Sequence, residues 1–236
     1  MPAGAFFGIF LGHRRAPPRR AKAARTGEPP LKRHAQPKRP GKPPKPRRYK
    51  FEPGRDFWVF GYGSLMWHPG FAYAERRVGL LRGYHRSFCV YSHQYRGTPE
   101  KPGLVLGLDR GGCCRGVVYR VHAHSAEEAW QYLWEREMNR DTYHPRHVHV
   151  ATGKGIVEAL AFVVRREHPQ YAGKLPMDRL AALVMQGIGG RGTCREYLAN
   201  TVKHLDELGL TDGPLHDLLR AVEQRCIGSD WETPTT

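Results

Sequence analysis

Residues 51–236 contain no uncharged apolar segment near the roughly twenty residues that a membrane-spanning helix requires. The apolar opening AGAFFGIFLG, at residues 3–12, is too short to span a bilayer. It also lacks the basic residues that precede the apolar core of a secretory signal. We therefore expect no membrane as a partner and a cytoplasmic location.

Cysteine is scarce as well. The five cysteines form an odd set, and no two of them have the C-x-x-C spacing of redox motifs. This usage predicts reduced thiols in a cytosolic protein and not a disulfide framework. The neighbouring Cys113 and Cys114 precede a strand-like segment, and we interpret them as packing or turn residues.

Acidic residues are almost absent from the first fifty positions. Residues 1–50 hold 15 of the 38 Lys and Arg but one of the 22 acidic residues, so they carry +14 of the net charge of +16. They also hold ten of the nineteen prolines, and they have too little apolar surface to offset the entropy lost on ordering. We predict a disordered, basic, proline-rich tail at 1–50, dispensable for activity, and one folded domain at 51–236.

Any contact with nucleic acid or anionic lipid would be non-specific charge attraction to the basic tail. Apart from Tyr49, no aromatic residues are interleaved with its charges. We therefore do not expect nucleic acid to be a specific partner of this protein.

Several common catalytic motifs are missing. The sequence has no G-x-S-x-G, no P-loop and no H-E-x-x-H, and G-x-G-x-x-G is not completed after Gly63. Strand-like segments fill the first half of the body, and most helical patterns follow, which favours an α+β fold over alternating βαβ units. The predicted strands are FWVFGY, SFCVY, LVLGL, GVVYRV, RHVHV and ALAFVV, and the predicted helices are 125–138, 176–187, 194–208 and 214–225.

The stretch FWVFGYGSLMW, at residues 57–67, interrupts an apolar strand with two glycines. Gly61 and Gly63 allow positive φ angles, which let successive amide groups converge as a nest for a carboxylate or an oxyanion. Ser64 adds a hydroxyl donor. From spacing alone, the simpler interpretation is a tight turn between a strand and a loop.

The segment SAEEAWQYLWERE is predicted to be a helix that begins with a capping box. Ser125 is followed three residues later by Glu128, the spacing that satisfies amide groups at a helix start. Helical periodicity places Glu137 on the same face as three large apolar side chains, which are Trp130, Leu133 and Trp134.

Glu137 is the candidate general acid/base. A carboxylate on an apolar face is expensive to bury, and desolvation raises its pKa toward the range useful for proton transfer near neutrality. The alternative is a structural salt bridge to Arg136 or to an arginine across the core. Glu135 lies off this face and is expected to be solvated.

Two weaker candidates remain. His147 and His149 share one face of a predicted strand, which would suit a metal, but without a third ligand an exposed polar face is the better interpretation. Arg96 lies in the Gly/Pro-rich loop YRGTPEKPGLV, where its planar guanidinium is held in place to bind a carboxylate.

Taken in order, these segments resemble the ChaC-like, glutathione-specific gamma-glutamylcyclotransferases. The resemblance extends from about Trp58 to Cys226. The ordered segments that carry it are WVFGYGSLMWHPGFAY, VGLLRGYHRSF, YRGTPEKPGLVLGL, CRGVVYRV, YLWERE, HPQYAGKLP and EYL. Arg191 and Cys194 stand where the family pattern has Ser and Asn.

The resemblance implies a small mixed β-barrel with packed helices, the gamma-glutamylcyclotransferase-like fold. It also implies cleavage of glutathione to 5-oxoproline and cysteinylglycine without a cofactor or a metal. Glu137 is then the acid/base, and Arg96, or secondly Arg86, would bind the glycine carboxylate. The implied γ-glutamyl-binding residues are Phe60, Gly61, Tyr62, Gly63, Ser64 and Leu65.

Two alternatives stay open from the sequence. One is a cyclotransferase that acts on another γ-glutamyl amine or peptide. The other is a non-catalytic binding or regulatory module, which would not need Glu137 on an apolar face.

Overall fold

The computed structural model describes residues 52–229, with side chains to residue 226. The tail predicted at residues 1–50 lies outside the described residues. Seven strands lie within residues 52–229: β1 Phe57–Gly61, β2 Glu75–Ser92, β3 Gly103–Val121, β4 Tyr143–Thr152, β5 Gly155–Val164, β6 Ile188–Gly189 and β7 Gly192–Thr193. The helices are α1 Ala126–Glu137, α2 Met177–Gln186, α3 Cys194–Glu207 and α4 Gly213–Ser229.

The first five strands form a closed barrel in the order β1-β3-β2-β4-β5. Neighbours in this order pair antiparallel, and β1 closes the barrel by pairing in parallel with β5. The hairpin of β6 and β7 forms a separate two-stranded sheet. The predicted α+β barrel with packed helices is confirmed.

Strand β5 is buried on both of its faces. Ala159, Ala161 and Val163 belong to the cluster that fills the barrel, whereas Leu160 and Phe162 pack in the cluster that also contains Leu133 of α1. A strand covered on both sides carries an unbroken apolar sequence, as ALAFVV does. Helix α1 therefore lies against the outer face of the barrel beside β5.

Two predicted strands are a single strand in the structure. LVLGL and GVVYRV both belong to β3, which pairs with β2 along nearly its whole length. Gly111 and Gly112 have φ angles of 100° and 68°, and they lie opposite Gly83, where the register shifts. These glycines, which separate the two predicted strands in the sequence, form an irregularity within a long antiparallel ladder.

The helix starts differ from the prediction in their capping. Helix α1 begins after Ser125 as expected, but the Ser125 side chain makes no capping hydrogen bond, because a short 3-10 turn precedes the helix. The complete capping box is at α3, where Thr193 and Glu196 bind each other's backbone amides at 3.0 Å.

The structure also describes the histidines and cysteines that the sequence singled out. His147 and His149 are exposed on β4, and His147 pairs with Glu158 at 3.5 Å. The five cysteines are free thiols; Cys114 is buried and Cys113 is exposed.

Within the part of the chain that the structure describes, no cluster of three His, Cys, Asp or Glu side chains is arranged to hold a metal ion. None of the described helices is long and apolar enough to cross a bilayer.

Gly103 tests the close packing of the loop before β3. A Cβ at this position would overlap the carbonyl oxygen of Arg96 and lie 3.2 Å from Cβ of Cys194. Gly103→Ala should therefore lower the free energy of unfolding by about 2 kcal/mol or more, and the melting temperature by about 4 °C or more. Thermal denaturation measures this.

Gly153→Ala is the matched control, because a Cβ at Gly153 meets nothing within 4 Å. Its melting temperature should stay within about 1 °C of the wild type. Equal melting temperatures for the two variants would contradict the packing described for Gly103.

Candidate active site

A cavity of about 730 Å³ lies beside the turn that follows β1. Its wall combines that turn, the end of α1, the loop after β2, and side chains of β4, β5 and α3. Many of the predicted site residues line it together, namely Tyr62, Gly63, Ser64, Leu65, Arg96 and Glu137.

Two of the predicted γ-glutamyl-binding residues do not line the cavity. Phe60 is fully buried in the cluster that fills the barrel, and Gly61 is the last residue of β1. Sequence position alone put them with the turn, but the pleat of the strand directs the Phe60 side chain into the core.

The turn at residues 61–66, here called the glycine turn, has no positive φ angle at either glycine. The predicted nest of amide groups, which depended on positive φ angles, is therefore wrong. Gly63 has φ −131°, and Gly61 is not among the glycines with positive φ. Small size matters at Gly61, where a Cβ would approach Cβ of Leu65 to 3.0 Å. A Cβ on Gly63 would lie 3.5 Å from the Tyr197 hydroxyl, which is an ordinary van der Waals distance.

Arg136 of α1 forms hydrogen bonds to the glycine turn and to the residues just after it. Its guanidinium donates to Oγ of Ser64 at 2.8 Å and to the carbonyl oxygen of His68 at 2.8 Å. It also donates to the Tyr132 hydroxyl at 2.9 Å. The turn at residues 61–66 and the last turn of α1 are therefore held at a fixed separation.

Glu137 is the last residue of α1, and its side chain is 16% exposed. Burial raises its pKa above the ordinary value of 4.5, while the charge of Arg136 and a hydrogen bond from it oppose this effect. Nε of Arg136 lies 3.2 Å from Oε1 of Glu137. The predicted ion pair and the predicted raised pKa therefore occur together.

Glu135 borders the same cavity but from the exposed side of α1. Its side chain is exposed and accepts a hydrogen bond from Gln131 at 3.0 Å. The helical face that separates Glu135 from Glu137 was predicted correctly, and it gives these two carboxylates different surroundings.

Three tyrosines share the buried environment of Glu137. Burial raises the pKa of Tyr62, Tyr143 and Tyr197, and the charge of Glu137 raises each further. The hydroxyls of Tyr62 and Tyr143 donate to the carbonyl oxygens of Phe162 and Leu106, both at 2.9 Å. These phenols stay protonated, which leaves Glu137 as the buried group suited to accept a proton near neutrality.

Three further arginines line the same cavity. The guanidinium of Arg96 lies 5.2 Å from the ring centre of Tyr197, and those of Arg140 and Arg191 lie 5.5 and 4.5 Å from the ring centre of Tyr95. No carboxylate among the described residues forms an ion pair with these three. This arginine wall, defined as Arg96, Arg140 and Arg191, favours an anionic ligand group.

Arg86, the second choice for a carboxylate-binding residue, is not available to a ligand. It does not line the cavity, and its side chain is 2% exposed and paired with Asp212 at 2.7 Å. Cys194 is also buried, and its thiol donates to the carbonyl oxygen of Leu104 at 2.9 Å. Of the two positions that depart from the family pattern, only Arg191 reaches the cavity.

Sequence reasoning missed Tyr143, Tyr197 and Arg140, and it treated Arg136 only as a partner of Glu137. Tyr143 lies in β4 and Tyr197 in α3, and no spacing in the sequence connects them with Glu137. Arg140 follows α1 by three residues, so its nearness to Glu137 was a usable signal.

The sequence model of the ChaC-like protein family matches residues 57–225, which include the glycine turn and Glu137. The chain belongs to the ChaC-like protein family. Its similarity to curated ChaC-like proteins extends over most of the body. The glutathione-specific gamma-glutamylcyclotransferase of Escherichia coli K12 is 37% identical over 168 residues, which are 71% of this chain and 73% of that protein.

Relatives from animals and fungi give the same picture. The glutathione-specific gamma-glutamylcyclotransferase 1 of Mus musculus is 39% identical over 146 residues, 60% of this chain and 66% of that protein. A crystal structure described as a gamma-glutamyl cyclotransferase specific to glutathione from yeast has a TM-score of 0.67 and 25% identity. The matched region covers 72% of this chain and 96% of the yeast chain.

The raised pKa of Glu137 predicts how stability depends on pH. In the unfolded chain this carboxyl ionises near 4.5, whereas in the folded protein burial opposes ionisation. The protein therefore loses stability, relative to a Glu137→Gln variant that cannot ionise, as pH rises from about 4.5 through the raised pKa. The unfolding free energy of the variant minus that of the wild type should grow over this range, by about 1.4 kcal/mol per unit of pKa shift.

Urea denaturation of both proteins between pH 4 and 8 measures this difference. Glu135→Gln removes the same charge from the exposed side of α1 and is the control, for which no such growth is expected. A difference that shrinks as pH rises would contradict the burial of Glu137.

Proposed function

We propose that this chain is a gamma-glutamylcyclotransferase that converts glutathione to 5-oxoproline and cysteinylglycine. The observation that carries the proposal is the buried carboxylate of Glu137 in the same cavity as the glycine turn. The names of the Escherichia coli and mouse relatives support the activity and the substrate.

Glu137 shuttles protons between two nitrogens in this reaction. The α-amine of the γ-glutamyl group is mostly protonated at neutral pH, so the Glu137 carboxylate first accepts a proton from it. The neutral amine then attacks the γ-carbonyl carbon and forms the carbon–nitrogen bond of a five-membered ring. The bond to the cysteine nitrogen breaks as Glu137 gives its proton to that leaving amine. The regenerated carboxylate then accepts the surplus proton of the ring nitrogen and passes it to the same amine, which leaves as an ammonium group.

The cavity contributes orientation as well as proton transfer. Ring closure is intramolecular, so holding the γ-glutamyl chain curled lowers the entropic part of the barrier. The turn at Gly63–Leu65 would hold the α-carboxylate or the oxyanion through backbone amides. Oγ of Ser64 accepts a hydrogen bond from Arg136, which leaves the hydroxyl proton free to donate to the substrate.

The arginine wall suits the other end of glutathione, which carries the glycine carboxylate. Nη1 of Arg96 donates to the carbonyl oxygen of Thr193 at 3.1 Å, and this contact fixes the guanidinium beside the ring of Tyr197. Arg96 remains the first choice for that carboxylate, with Arg191 and Arg140 farther along the same wall.

Glu137→Gln tests the catalytic assignment. The variant keeps the size and hydrogen-bonding capacity of the side chain but cannot accept a proton. We expect the rate of 5-oxoproline formation from glutathione to fall ~10²-fold or more, the usual contribution of a general acid/base. Purified protein is incubated with glutathione, and 5-oxoproline and cysteinylglycine are quantified by mass spectrometry.

Glu135→Gln is the matched control from the same helix and should keep the wild-type rate. Equal losses in the two variants would show that Glu137 is not the acid/base. A wild-type protein that releases no 5-oxoproline from glutathione would refute the proposed function.

Arg96→Ala tests recognition of the glycine carboxylate. A charged hydrogen-bonded pair contributes on the order of 1.5–3 kcal/mol, so kcat/KM for glutathione should fall about ten- to a hundredfold, mainly through KM. A glutathione analogue whose glycine carboxylate is converted to an amide lacks this charge and should show little further loss in the variant.

Arg195→Ala is the control, because Arg195 is exposed and does not line the cavity. It should leave kcat/KM unchanged. If the wild type used γ-glutamyl amino acids as fast as glutathione, the glutathione assignment would be replaced by a broader cyclotransferase activity.

A further inference from the structure

Arg86 is a charged side chain buried beneath the glycine turn. Its side chain is 2% exposed, and each of its three nitrogens has a partner. Nε donates to the carbonyl oxygen of Tyr62, Nη1 to Oδ2 of Asp212 at 2.7 Å, and Nη2 to the carbonyl oxygen of Arg115 at 2.6 Å. Nη2 also lies 3.6 Å from the sulfur of Met66.

These contacts connect the turn to two distant elements. Tyr62 and Met66 lie at the two ends of the segment that carries Gly63 and Ser64, so Arg86 contacts the turn on both sides of its cavity-facing part. The carbonyl of Arg115 belongs to β3, which pairs with the strand that carries Arg86. The planar guanidinium reaches all of these groups at once, which a single ammonium cannot do.

Asp212 supplies the charge that makes this burial tolerable. An unpaired buried guanidinium is strongly destabilising, and Asp212 is its only ion-pair partner among the described residues. Asp212 also caps α4: its Oδ1 accepts from the Leu215 amide at 3.4 Å, and its carbonyl oxygen accepts from the His216 amide at 3.1 Å. Neither Arg86 nor Asp212 lines the cavity.

We propose that Arg86 is a positioning residue that holds the Tyr62 carbonyl so that the amides of the glycine turn face the cavity, with Asp212 of the α4 cap as its required counter-charge. The residue at the start of α4 thereby influences the geometry of a site that it does not contact. The effect on substrate affinity rests on the proposed function, whereas the effect on the turn itself does not.

Asp212→Asn tests this assignment in the full chain. Asparagine is as good a helix cap as aspartate, so the change removes the counter-charge and keeps the capping oxygen. The amides of Met66 and His68 bond to the carbonyl oxygens of Gly63 and Ser64, both at 2.8 Å, and report on the turn. We expect amide hydrogen exchange at these two positions to accelerate about tenfold or more, and KM for glutathione to rise by a similar factor.

Asp109→Asn is the matched control. Asp109 is also a buried carboxylate, paired with Arg166 at 2.7 Å, but neither residue contacts the glycine turn. This variant should leave exchange at Met66 and His68, and KM, close to the wild-type values. Each variant is measured at a temperature at which it is fully folded, so that a general loss of stability does not mimic the effect.

Arg86→Lys is a second test variant, which keeps the positive charge but lacks the planar guanidinium. It should accelerate exchange at Met66 and His68 in the same way, and it decides the matter if Asp212→Asn fails to fold. The proposal is overturned if exchange at the turn matches that of Asp109→Asn, or if it stays at the wild-type rate. A chain inactive on glutathione would refute the proposed function, and the exchange measurement would still test the role of Arg86.

Discussion

The site depends on the position of one guanidinium, that of Arg136. It binds Ser64 of the glycine turn and His68 just after it, and it lies 3.2 Å from the carboxylate of Glu137 at the end of α1. Apolar packing also joins the two, since Leu65 of the turn lies in the same buried cluster as Leu133 of α1, but packing does not fix the position of polar groups. A charged side chain bound on both sides fixes their separation, which a reaction between two groups of one small substrate requires.

The same guanidinium sets a balance at Glu137. Burial disfavours the carboxylate, and Arg136 favours it, with burial having the larger effect. A carboxylate held fully charged by a strong ion pair would have a low pKa and be too weak a base. A buried carboxylate without any ion pair would be too costly to ionise. The surrounding phenols are held protonated by burial and bind backbone carbonyls, so they shape the cavity without competing for the substrate proton.

Much of the fold could be predicted because periodicity and turn residues report on local structure. The four helices were predicted to within a few residues, and the face that carries Glu137 was assigned correctly. The long hairpin of β2 and β3 was divided, because glycines at 111 and 112 suggest a loop unless the partner strand is known. A capping box was predicted at Ser125 from the spacing of Ser125 and Glu128. The structure has no capping hydrogen bond there and forms a capping box at Thr193 and Glu196 instead.

The parts of the site that depend on tertiary contacts could not be predicted. Arg86 and Asp212 are 126 positions apart, and only the closed barrel brings α4 beneath the turn. The role of the glycines was also misjudged, since Gly61 is packed closely against Leu65 and neither Gly61 nor Gly63 has a positive φ angle.

The central claim is that Glu137 is a buried carboxylate with a raised pKa. The most direct test is a carbon-13 NMR titration of the glutamate side-chain carboxyls, with Glu137→Gln used to assign the Glu137 signal. We expect that signal to titrate above 4.5, the ordinary glutamate value. A Glu137 signal that titrates at or below this value would show that Arg136 outweighs burial, and it would contradict the account of the site.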